Sequence, residues 1–190
     1  MRFTLIAVAL GFVLALLAGG RPRYLSDKRF RWWLLLPAGL ALQLVAVESL
    51  GDPLPFALLL LSYACLVAFG LANLRLTGVW MIVLGFTMNA VVIGTNHGMP
   101  VGRTAIRAIG ARPAVHAVKH HTERHSDQLV FLADIIPVTP LGEIVSFGDV
   151  ILAVGVIDVL VHLMRPARRR REEDWDLTGV LPLLPTSDRA

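Results

Sequence analysis

Five largely apolar blocks dominate this chain, at about residues 3–19, 32–50, 54–73, 77–95 and 147–164. A run of roughly 18 or more apolar residues is long enough to cross the hydrocarbon core of a bilayer as a helix. Only a helix satisfies its own backbone hydrogen bonds there. The blocks therefore predict an all-α polytopic membrane protein with five transmembrane helices. Charged residues make up 17% of the chain, against about 25% in an average soluble domain, and mean hydropathy is +0.65.

The basic residues set the expected orientation. The net charge is +4, but the excess sits at block ends rather than on one face, so nucleic acid is excluded as a partner and membrane lipid is expected. Arg21, Arg23, Lys28, Arg29 and Arg31 oppose only Asp27 in the first connection, which assigns it to the cytoplasm. The acidic turn at 48–53 then falls outside, Arg75 inside, the long 96–146 loop outside, and Arg165 with Arg168–Arg171 inside. The expectation is N-out/C-in, with a membrane bundle over 1–165 and a basic cytoplasmic tail over 166–190. The location implied is the bacterial cytoplasmic (plasma) membrane, multi-pass. Residues 3–20 also resemble a signal-peptide core, but the n-region holds only Arg2 and the basic stretch that follows resists export.

The outer loop is divided. Residues 101–127 are basic and histidine-bearing, as an interfacial helix near phospholipid head groups would be. Residues 128–142 are apolar but broken by Asp134, Pro137 and Pro140. They read as a re-entrant or interfacial cap in the long outer loop; the alternative is a sixth span.

Polar residues at membrane depth are costly and mark candidate sites. Gly85, Asn89 and Asn96 share one helical face and lead into Asn96-His97-Gly98, a tight polar turn. Asn89, Asn96, His97 and Gly98 are thus candidate binding residues, or else interhelical bonds and a helix cap. Asp134 and Asp149 are candidate catalytic residues: two carboxylates sharing a proton can divide base and acid roles towards water. The competing reading makes Ser146 or Asp149 the cap of the last helix. Asp158 and His162, four apart, are expected to form a buried structural ion pair. His116/His120 and His121/His125 have a spacing that suits a transition metal on a helix, yet no His-Glu-x-x-His motif accompanies them. They are weak metal candidates, and no metal or other cofactor is expected. Cys65, the only cysteine, excludes an intramolecular disulfide.

Several of these pieces together resemble a family of bacterial membrane proteins known as domain of unknown function 5317. The matching segments are Gly19-Gly20 with the basic loop and Trp33-Leu34-Leu35, then Asn96-His97-Gly98-Met99-Pro100-Val101, Ala133-Asp134-Ile135-Ile136-Pro137 and Ser146-Phe147-Gly148-Asp149-Val150-Ile151-Leu152-Ala153-Val154-Gly155. The resemblance implies architecture and carries no activity. A local resemblance links Asn96-x-Gly98, Asp134 and Phe147-Gly148-Asp149 to lipoprotein signal peptidases. It implies Asp134 and Asp149 as a dyad and Asn96 as a polarising residue. This chain lacks that family's Asn-Ala pair before the second aspartate and its Gly-Asn-x-x-Asp-Arg element, and no span separates Asn96 from Asp134. Three functions follow as expectations: a non-enzymatic structural, accessory or binding subunit working with other membrane protein subunits, an intramembrane aspartyl peptidase-like hydrolase, or a small transporter component. The absence of an internal repeat argues against a complete transporter.

Overall fold

The computed structural model describes residues 2–25, 29–48, 54–110 and 120–165. Among them are six helices: α1 (Arg2–Leu17), α2 (Leu35–Glu48), α3 (Leu54–Ala72), α4 (Val79–Asn96), α5 (Arg103–Ile109) and α6 (Phe147–Leu163). Four three-residue strands lie between α4 and α6: β1 (Met99–Val101), β2 (His120–Thr122), β3 (Ile136–Val138) and β4 (Glu143–Val145). The helical expectation holds for the bundle, while the outer segment is mixed rather than all-α. The tail at 166–190, the acidic turn at 49–53 and His116 lie outside the described residues.

Two helices, α3 and α4, are long and apolar enough to cross a membrane. The helices α1, α2 and α6 run 16, 14 and 17 residues and are shorter than the blocks that announced them. For α2 the cause is local. Pro37 has no N–H to donate, so it fits the first turn of a helix and starts α2 at Leu35. The Trp32-Trp33 pair stands in the preceding turn, with Trp32 at φ 53.

The five longer helices pack in the order α2, α3, α4, α6, α1. At each junction a glycine lets backbones approach. A Cβ on Gly39 would meet the Leu66 side chain at 2.8 Å, and one on Gly11 would meet Leu160 at 2.9 Å. Gly70 faces Val83, and Gly85 faces the Gly148 carbonyl. Such close contact lets many small dispersion attractions add up between the helices. The outward faces stay apolar: Leu5, Val13, Leu17, Leu44, Leu61 and Val91 are all exposed.

The contacts also fix which helix ends lie together. His97 at the end of α4 stacks on Phe56 at the start of α3, with ring centroids 5.0 Å apart. Glu143, before α6, accepts hydrogen bonds from the N–H groups of Arg2 and Phe3 at the start of α1, both 2.8 Å. At the opposite end the Arg21 N–H donates to the Met164 carbonyl at 2.7 Å, and Gly78 abuts Asp158. Thus α1 and α6 run parallel, and residues 99–110 and 120–145 cap one end of the row.

Within the cap, β1 and β2 pair in parallel and β3 and β4 form an antiparallel hairpin. Residues 128–142, expected to be re-entrant, interfacial or a sixth span, contain a 3-10 turn at 130–132, β3 and a second 3-10 turn at 139–141. Pro137 and Pro140 lack the donors a helix needs there. No sixth long helix occurs among the described residues of this stretch. Of the expected basic interfacial helix over 101–127, the described residues show α5, seven residues capped by Gly110; residues 111–119 lie outside the described residues.

Candidate functional site

The candidate residues gather at the capped end, where α4 stops and α6 starts. Asn89 is buried in α4, opposite the glycine that follows the first residue of α6. Its Nδ2 donates to Asp149 Oδ1 at 2.8 Å. Its Oδ1 accepts from the Ser146 hydroxyl at 3.0 Å. The Ser146 Oγ in turn accepts from the Asp149 N–H at 3.0 Å, and the Ser146 N–H donates to Asp149 Oδ2 at 3.1 Å. Three residues therefore close a ring of hydrogen bonds around the first turn of α6. Ser146 and Asp149 form a capping box, which satisfies helix-end donors that would otherwise be orphaned. Asn89 extends that box across to the neighbouring helix. Both carboxylate oxygens of Asp149 are engaged in this way.

Asn96 works similarly at the last turn of α4. Its Nδ2 donates to its own helix at the Val92 carbonyl and to the Gln128 carbonyl, both 2.9 Å. Its Oδ1 accepts the Gln128 N–H at 2.7 Å. The side chain thus imitates a strand edge and fastens the second half of the cap to α4. His97 follows in the left-handed conformation, φ 53, and Gly98 donates back to Ile93. This is the helix-ending geometry that the Asn-His-Gly order permits.

Asp134 is buried beside β1. Its N–H donates to the Pro100 carbonyl at 3.1 Å, and its carbonyl accepts from Gly102 at 2.9 Å. The carboxylate lies 3.2 Å from Nε2 of His120 in β2, whose Nδ1 is buried without a hydrogen-bond partner. The neighbouring His121 pairs with Asp127 at 3.1 Å, and the Arg124 N–H donates to the same oxygen at 2.7 Å. Asp149 bonds to Asn89 and Ser146, and Asp134 lies against His120. Tyr63, a buried residue of α3, packs edge-on against Phe86.

The helix spacing argument for metal does not carry over. His120 and His121 lie on a strand, and His125 lies exposed in the turn that follows. Among the described residues no group of three or more His, Cys, Asp or Glu side chains is placed to hold an ion. The Asp158–His162 pair forms, at 3.1 Å, but it is not buried: the side chains are 35% and 41% exposed. The pair lies at the surface because Asp158 packs over the tight Gly78 turn rather than between helices.

Three residues escaped the sequence reading. Tyr63 sat inside an apolar block and carried no pattern of its own. Glu143 caps α1 from 140 positions away, beyond any local motif. Asn73 resembled a loop residue, yet it is fully buried at the end of α3. It accepts from the Arg31 N–H at 2.9 Å and donates to the Arg31 and Phe69 carbonyls at 2.8 Å each. That is the Asn96 device repeated at the other end of the row. The common signal, an asparagine in the last turn of an apolar helix, was present in the sequence at both positions.

No curated protein and no solved structure matches the chain. A family profile does, over residues 27–161, which takes in α2 to α6, both asparagine clamps, the capping ring and the cap. The chain belongs to that family, described as a family of unknown function (DUF5317).

Proposed function

We propose that this protein is a five-span, N-out/C-in component of the bacterial cytoplasmic membrane. It acts as a non-enzymatic accessory or binding subunit that associates with other membrane protein subunits. The observation that carries the reading is the closed ring of Asn89, Ser146 and Asp149. The side chains of Asn89, Ser146 and Asp149 bond to one another and to the backbone, so their chemistry is spent on holding the start of α6 against α4. The apolar outward faces of α1 and α2 support membrane burial. The alternation of helix ends agrees with the distribution of basic residues. In this reading membrane lipid surrounds the row and a partner's helices contact part of it.

The test is purification of the tagged full chain from native membranes in mild detergent. A reproducible partner at fixed stoichiometry is expected; a chain that elutes alone at every detergent concentration overturns the subunit reading. For orientation, a reporter fused after Arg171 should read cytoplasmic, and an external reading overturns the five-span arrangement.

A second reading, an aspartyl peptidase-like hydrolase using Asp134 and Asp149, is favoured by one observation: both aspartates lie at the capped end, Asp134 buried beside β1 and Asp149 bonded to Asn89 of α4. On this reading, deletion of the gene changes the cleavage products of membrane proteins, wild type restores them and Asp134→Asn does not. Full restoration by Asp134→Asn ends it.

A further inference from the structure

At the end of the row opposite the cap, two loops distant in sequence meet. Asn73 grips the backbone of Arg31 through both its N–H and its carbonyl, and the Arg75 guanidinium donates to the Arg29 carbonyl at 3.3 Å. Phe30, between the two arginines, packs on Phe69 with centroids 6.2 Å apart. These bonds bring Arg29, Arg31 and Arg75 to one corner, with all three side chains exposed. Among the described residues no carboxylate pairs with any of them; Asp27, the one acid of the 21–31 loop, lies outside the described residues. Gathering three cations costs energy unless an anion compensates. The fold nevertheless holds both backbones rigidly in this place. Immediately beside them stand Trp32 and Trp33, each 62% exposed, on the first turn leading into an apolar helix. Indole rings at that position favour the level of lipid head groups.

We propose that Arg29, Arg31 and Arg75 form a binding site for the phosphate head group of an anionic phospholipid, with Trp32 and Trp33 placed against its glycerol and upper acyl region. Guanidinium forks match phosphate oxygens in a bidentate way. The Asn73 clamp supplies the preorganisation that a scattered basic loop lacks. The site lies on the side where the proposed orientation puts the cytoplasmic leaflet, and it rests on the reading that the helices are embedded in a membrane.

The experiment uses the purified full chain reconstituted into two sets of vesicles: phosphatidylcholine alone, and phosphatidylcholine with a minor fraction of phosphatidylglycerol. In each set one lipid species carries brominated acyl chains, and quenching of tryptophan fluorescence reports which lipid sits against the protein. Brominated phosphatidylglycerol should quench well beyond its mole fraction. Arg29→Gln/Arg31→Gln/Arg75→Gln should lower the relative affinity for phosphatidylglycerol by on the order of fivefold or more. Arg103→Gln/Arg107→Gln, at the capped end, should leave it unchanged. Millimolar inorganic phosphate should not displace the lipid; displacement would assign the corner to a free anion and overturn the lipid proposal. Arg75→Gln alone, an exposed single substitution, should weaken the preference in the same direction and guards against misfolding of the triple variant. Quenching by brominated phosphatidylcholine with no preference for phosphatidylglycerol overturns the lipid site and leaves the membrane reading standing. Absence of quenching by either lipid overturns both.

Discussion

Replacing Asn73 by leucine removes a side chain of similar size but opposite chemistry from a position with no exposure to solvent. Three hydrogen bonds disappear, to Arg31 N–H, Arg31 carbonyl and Phe69 carbonyl. Each is worth about 1 kcal/mol net, and groups left unpaired in a buried setting cost about 1–3 kcal/mol. The Asn73 N–H goes to the Gly70 carbonyl, so the Phe69 carbonyl loses the side-chain donor that serves it; the setting is part-buried, and water can recover some of the penalty on the Arg31 groups. We expect a loss of about 3 kcal/mol. Asn73→Asp refines the test. It keeps an acceptor for the Arg31 N–H but places oxygen against the two carbonyls that Nδ2 now bridges, so it should cost at least as much as leucine. Asn96→Leu breaks an equivalent clamp. Its partner Gln128 is exposed, as Arg31 is, and Asn96 is buried like Asn73. It too loses three bonds, so the loss there should be of similar size, about 3 kcal/mol. The assay is reversible unfolding of the purified protein in mixed micelles, followed by far-UV circular dichroism, with tryptophan fluorescence reporting the turn that carries Trp32 and Trp33. An Asn73→Leu or Asn96→Leu variant within about 0.5 kcal/mol of wild type would refute the reasoning that the bonds of the buried asparagine set the worth of its clamp.

Further outcomes follow from the capped end. Gly148→Ala puts a methyl where Asn89 Oδ1 stands and should destabilise by about 1–3 kcal/mol; in a double-mutant cycle, Asn89→Ala should relieve part of that loss rather than add to it. Ser146→Ala removes the hydroxyl that both Asn89 and Asp149 use and should cost about 1–2 kcal/mol, with faster amide exchange in the first turn of α6. Glu143 gives a pH dependence. Burial works to raise its pKa, but hydrogen bonds from the N-terminal amine, Phe3 and Arg2 outweigh this and hold it below the ordinary 4.5. A lowered folded pKa means that its contribution is complete above the ordinary value and is lost as pH falls through the folded one. Exchange of the α1 amides should therefore accelerate below about pH 4.5 in wild type, and Glu143→Gln should abolish that acid-dependent step.

The helices were legible in the sequence because apolar length is a one-dimensional signal. The block at 54–73 became α3 and the block at 77–95 became α4 within a residue or two. The cap was not legible in detail. Its strands are three residues long, too short to show a period, and they are held by partners far away in the chain. Asp149 illustrates the division. Its role at the start of α6 was readable as a helix cap from Ser146-Phe147-Gly148-Asp149, whereas its bond to Asn89 crosses 60 positions. His120 illustrates it too: spacing suggested a helix face, but pairing with β1 overrode the local pattern. Polar clamps are invisible to hydropathy because they are single residues chosen for geometry.

The order of the helices in space has a consequence for how the molecule is made. The principal neighbour of α1 is α6, so among the described helices the earliest in chain order packs against the latest. Until residues 147–163 have emerged, the Gly11 face of α1 has no Leu160 to receive it. The cap must also be complete by then, because Glu143 seals the start of α1 just before α6 begins. Among the described helices α2 to α4 can therefore pair as hairpins of neighbours, and the joining of α1 to α6 is one long-range closure. A ribosome stalled before α6 would leave three helices paired, one adrift and the cap without its lock.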